Sequence, residues 1–222
     1  MVGGLLTGKF SLIDIITTLV LFVFSITIHE VAHGFVAYKL GDPTAKNYGR
    51  LTLNPRKHLD PLGTILILLV GFGWAKPVPI DSRYFENPKR DKTLVSIAGP
   101  LSNLILAFLA LLIFSKVCVN LYYSGTIGEN VINACSMFFG TMASLNITLA
   151  VFNLLPIPPL DGSKIFLAWA PYRFQNIVYS IERFGFIGVY LVIIIISRLG
   201  IISGVSGVIW NLMNKLIDIL PF

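Results

Sequence analysis

Hydrophobic residues in this chain gather in long runs separated by short polar segments. Residues 15–28 are almost wholly apolar, interrupted only by Thr17, Thr18, Ser25 and Thr27. They sit within a helix expected over residues 11–40, about 45 Å long at 1.5 Å per residue, which exceeds the hydrocarbon core and so must tilt or protrude. Gly41-Asp42-Pro43 should end it. Residues 93–117 form a second clear span and residues 135–155 a third. Residues 186–202 can also cross, with Arg198 snorkelling near one end. Residues 163–179 read as a short helix, and residues 205–219 as either a last span or an interfacial helix. Residues 61–74 are apolar but short, broken by Gly63, Gly71 and Gly73, and lie between basic loops; this predicts a re-entrant or shallow segment. The alternating stretch 48–55 and the proline-rich stretch 76–80 read as extended edges. The expected fold is an all-α polytopic membrane protein. It is a helical bundle of about 4–6 transmembrane segments with one re-entrant or short segment and small β edges on the cytoplasmic side, all in one domain over 1–222.

Composition agrees. Hydrophobic residues make up 55% of the 222, charged residues only 13%, and mean hydropathy is +0.79, so the lipid bilayer is the solvent to reckon with. The net charge of +6 is not a nucleic-acid footprint, because ten of the seventeen Lys and Arg lie within residues 39–92 among five acidic residues. That bias places the region on the cytoplasmic side, while residues 120–133 carry no Lys or Arg and belong outside. The expected location is the cell membrane, with the chemistry facing the cytoplasm. Cys118 and Cys135 flank the outer loop, either as a disulfide or as two packed thiols. Residues 1–10 have one Lys, two adjacent Gly and no small-residue cleavage site, so a removable signal peptide is not expected.

Against this apolar background Ile28-His29-Glu30-Val31-Ala32-His33-Gly34 stands out. On a helix His29 and His33 are one turn apart, so both imidazoles leave the same face and can grip one metal ion. Glu30 is about 100° around the helix, where its carboxylate reaches a water rather than the metal. Ionisable groups inside a span cost roughly 2–3 kcal/mol or more each, which makes them functional suspects. A catalytic zinc takes three protein ligands and leaves one position open. The soluble continuation H-x-x-G-x-x-H fails, since Val36 and Lys39 stand at its fixed positions. Asp42, His58 and Asp60 lie in a charged loop and read as solvated polarity, and Glu182 beside Arg183 as an exposed pair. Asp161 differs. It follows Asn153-Leu154-Leu155-Pro156-Ile157-Pro158-Pro159-Leu160, where three prolines in four residues must break a span, and Gly162 then allows a tight turn. Asp161 is the expected third ligand. In residues 93–117 the Gly99-Pro100 pair allows close helix approach, and Asn103 is a buried amide that either bonds another helix or points into a site.

Both stretches together resemble the site-2 protease family of intramembrane zinc metalloproteases. The H-E-x-x-H is carried by His29, Glu30 and His33; the N-x-x-P-x-P-x-L-D-G is matched at every fixed position from Asn153 to Gly162. Gly99, Pro100 and Asn103 look like the family's middle-span signature. The resemblance implies one Zn2+ on His29, His33 and Asp161, with Glu30 as general base. It also implies a membrane-protein substrate cut within or near its transmembrane segment, and roles for Asn103 and Asn153 near the site as substrate or oxyanion donors. Neither a PDZ domain between the motifs nor a nucleotide-sensing domain after them is seen, as expected of a compact member. Two other readings remain open at this stage: an ion or proton path built from the His, Glu and Asp cluster, and a silent scaffold that binds helices.

Overall fold

The computed structural model describes residues 11–61, 63, 75–172, 174–176, 192, 194–196 and 198–221. Most of the expected segment 61–74, residues 186–191, 193 and 197 of the expected span 186–202, and Glu182 lie outside the described residues. The chain forms two compact units, residues 1–91 and 92–222.

The first unit is built on helix α1, Leu12–Lys39. Its start is set by a capping box: Ser11 Oγ accepts the Asp14 N–H, and the Asp14 carboxylate accepts the Ser11 N–H. Two of the polar residues inside the run, Thr18 and Thr27, donate to the carbonyls four residues back. The N-terminal half leaves Leu12, Ile13, Ile16, Val20 and Phe24 exposed, as a lipid-facing surface would, whereas Ser25, Thr27, His29, Glu30, His33 and Gly34 are buried. Gly41, at φ 101°, follows the last turn, and a short helix α2 (Thr44–Asn47) comes next. Single 3-10 turns at Pro55–Lys57 and Ser82–Tyr84 each start from a capping side chain, Asn54 and Asp81. Leu59 and Ala75 form an isolated antiparallel bridge.

The expected edges at 48–55 and 76–80 are not strands; the described residues contain no strand. Their backbone groups bond locally or to side chains instead. Asn54 N–H goes to Thr52 Oγ1, the Thr52 carbonyl is bonded to His58, and Pro77 and Pro79 have no N–H to give.

Helix α3 (Pro88–Ile113) continues through a π-turn at Phe114–Cys118 into α4 (Val119–Tyr123). Within the second unit a short loop leads to α5 (Glu129–Asn153), followed by α6 (Asp161–Trp169) and α7 (Ile201–Ile219), which packs on α5. Small residues line the buried faces of α3 and α5, among them Ala107, Ala110, Ala143 and Ala150. Pro100 sits inside α3 without breaking it. Cys118 and Cys135 are free thiols on helices. Among the described residues three helices are long and apolar enough to cross a membrane: Leu12–Lys39, Pro88–Tyr123 and Glu129–Asn153.

Candidate metal centre

Helical spacing does for His29 and His33 what the sequence predicts. Their Nε2 atoms converge to 3.0 Å, with the rings at 85° to one another, and both residues are buried. Two nitrogens bound to one tetrahedral zinc at about 2.0–2.1 Å would stand roughly 3.3 Å apart, so this pair fits such an ion with little movement. Glu30 is buried as well. Its Oε2 accepts the backbone N–H of Val78 at 2.9 Å, from a segment 48 residues further on.

That segment approaches closely because residue 34 is glycine. A Cβ there would lie 2.9 Å from Leu51 Cδ2 and 3.1 Å from both Ala45 Cβ and Val78 Cγ1. Val78 is therefore a fixture of the site, not a free edge. With its N–H on Glu30 and prolines on either side, the 77–79 stretch has no backbone donor for another chain.

Two residues read as loop polarity are instead fully buried. Asp42 accepts the Thr44 N–H (2.9 Å) and, from its other oxygen, the Asp81 N–H (2.7 Å), tying the end of α1 to the 3-10 turn at Ser82–Tyr84. His58 lies 2.8 Å through Nε2 from the Thr52 carbonyl, and its own carbonyl accepts the Lys76 N–H. Burial pushes its pKa below the ordinary value near 6.5, and the nearby Arg50 charge acts the same way, against the Thr52 bond and Glu30. The ring is neutral at pH 7, with its proton on Nε2. Asp60, half-buried, accepts the Gly63 N–H. Arg50, also buried, donates to the carbonyls of Lys76 (2.7 Å) and Pro77 (3.2 Å). Nothing in the sequence singles out Arg50 or the Val78 N–H, because both roles are fixed by partners distant in the chain.

In the second unit Asp161 is the first residue of α6 and is buried. Its Oδ1 accepts a bond from Lys164 Nζ at 2.8 Å. Gly162 has no positive φ and so is not needed for a turn. It is needed for room: a Cβ there would collide with the carbonyl groups of Leu154 and Leu155, on which α6 is seated. Asn103 is fully buried and donates to Asn146 Oδ1 at 2.8 Å, while Asn146 donates to the Met142 carbonyl. Asn103 thus joins α3 to α5, and Asn146 is a partner the sequence does not reveal. Asn153 is half-buried and gives one amide N–H to the Leu149 carbonyl.

Comparison with known proteins bears on the same residues. The model of a family described as peptidase family M50 matches residues 17–196. The Bacillus subtilis protein named "Putative zinc metalloprotease YwhC" is 47% identical over 196 residues, covering 86% of this chain and 83% of its own. "Putative zinc metalloprotease Rip2" of Mycolicibacterium smegmatis is 31% identical over 181 residues, 77% of this chain and 63% of its own. "Putative zinc metalloprotease MJ0611" of Methanocaldococcus jannaschii is 34% identical over 157 residues, 68% and 73% respectively. No solved structure matches the chain significantly.

Proposed function

The chain belongs to peptidase family M50, and from that premise we propose that it is an intramembrane zinc metalloprotease acting on membrane-protein substrates within or near their transmembrane segments. The observation that carries this is the buried pair of Nε2 atoms 3.0 Å apart on α1, with the Glu30 carboxylate anchored beside them. His29 and His33 supply two ligands and Asp161 the third, one ion per chain. A buried carboxylate at a helix start, next to a glycine packed on the Leu154 and Leu155 carbonyls, supports Asp161 as the donor this set lacks. When bound, the zinc supplies Lewis-acid chemistry, acidifying a water and polarising the scissile carbonyl.

The remaining steps belong to the chain. Glu30 takes the proton of the attacking water and returns it to the leaving amine, and the Val78 N–H holds the carboxylate in one orientation while it does so. Asn153 is the better oxyanion donor, since it is half-buried with one of its two amide hydrogens bound to Leu149, whereas Asn103 is fully buried against Asn146. A helical substrate must unwind to expose its peptide bond, and residues 51–53 are the backbone against which it extends; the 77–79 stretch has no donor left for this. The three long apolar helices are read as part of a bundle of 4–6 transmembrane segments. The reading that the chain resides in the cell membrane with the site toward the cytoplasm is supported by the basic residues of 39–92. Family membership removes the reason to prefer an ion path.

The test is Glu30→Gln assayed on a membrane-spanning peptide in detergent or liposomes. Zinc content should stay at the wild-type level while cleavage disappears; full activity in that variant would refute the assignment of the base.

A further inference from the structure

Arg50 is an odd residue to bury. It is 6% exposed, and among the described residues its Nε has no hydrogen-bond partner and its charge is met by two backbone carbonyls, not by a directly bonded carboxylate. What those carbonyls belong to explains it. The Pro77 carbonyl and the Val78 N–H are the two ends of one planar peptide unit. Arg50 Nη1 holds the oxygen end at 3.2 Å, and the hydrogen end donates to Glu30 Oε2 at 2.9 Å. Fixing one side of a rigid plane aims the other. Arg50 Nη2 holds the preceding carbonyl, Lys76, at 2.7 Å, so the fork grips two successive peptide planes and blocks rotation between them. Pro77 and Pro79 stiffen the same stretch, and the Val78 N–H is the only backbone donor of residues 77–79.

We propose that Arg50 is a positioning residue for Glu30, acting through the Lys76–Pro77–Val78 backbone: the guanidinium sets the peptide plane whose N–H orients the general-base carboxylate. This rests on Glu30 being the base. A cation on the carbonyl also polarises the peptide and strengthens its N–H as a donor.

The test compares Arg50→Lys, which keeps the charge and loses the fork, with wild type in two readouts. In metal-free protein, hydrogen exchange at the Val78 amide should quicken at least tenfold. The amides of Arg50 and His58, bonded to Ala45 and Pro55 in the same unit, should exchange as before. In zinc-loaded protein kcat should fall about tenfold or more, with KM and zinc stoichiometry unchanged. A fall in kcat with Val78 still protected would overturn the proposal, as would unchanged kcat, or uniform loss of protection together with loss of zinc. Should Arg50→Lys fail to fold, Val78→Pro removes the same donor with Arg50 intact: a similar loss in kcat supports the relay and undiminished kcat overturns it. If zinc-loaded wild type cleaves no membrane-spanning peptide, the protease reading fails on its own, and the exchange result still decides what Arg50 does.

Discussion

The two units bury different kinds of residue. In the first, His29, Glu30, His33, Asp42, Arg50, His58 and Asp91 are all buried, and irregular backbone from residues 50–60 and 75–85 is tied down by their side chains. In the second, long helices meet through small residues and one amide pair, and Asp161 is the only carboxylate or cation among its buried described residues. Irregular backbone near membrane depth survives only where its polar groups find partners. The first unit meets that condition with charged side chains, and the same ties hold a carboxylate in a chemically useful orientation. The second unit satisfies its backbone within helices and needs almost no charge, so a buried Asp there points to function.

Substitutions can break or sharpen this contrast. The largest effect should come from Glu30→Gln, with a loss of about 10²–10⁴-fold or more in cleavage rate at unchanged thermal stability; comparable loss of stability would mean that Glu30 is mainly structural. Next comes Gly162→Ala, where the new methyl meets backbone and not a flexible side chain. It should destabilise by about 3 kcal/mol, against about 1–2 kcal/mol for Gly34→Ala, whose neighbours are side chains, as read from thermal denaturation in detergent. Asn103→Ala and Asn146→Ala should each cost about 0.6–1.7 kcal/mol, and the double variant should cost little more than either alone. The smallest effect concerns pH. His58 has a lowered pKa when folded, so between that value and about 6.5 the unfolded chain binds more protons than the folded one. Its contribution is complete above about pH 6.5 and is lost as pH falls below it. Thermal stability should therefore decline on that acid limb, less steeply in His58→Asn.

Much of this was legible in the residues, for identifiable reasons. Helix α1 was placed within a residue at each end, because a long apolar run bounded by Ser11 and by Gly41-Asp42-Pro43 admits few alternatives. The pairing of His29 with His33 followed from helical spacing alone. Asp42 and His58 were misread as solvated because a charged loop carries no sign of which side chains turn inward; their partners, Asp81 and Thr52, are fixed only by the fold. The expected edges failed because alternation over a few residues also suits irregular backbone anchored by side chains, and prolines at 77 and 79 remove the donors a ladder needs. Gly162 was rightly singled out for the wrong reason, since close approach and positive φ both ask for glycine.

We propose that one zinc is held by His29, His33 and Asp161. Metal analysis of purified protein tests it most directly. Wild type and Glu30→Gln should carry one zinc per chain, and His33→Ala and Asp161→Ala should each lose most of it after mild chelation. Full zinc content in Asp161→Ala, with cleavage intact, would contradict the account.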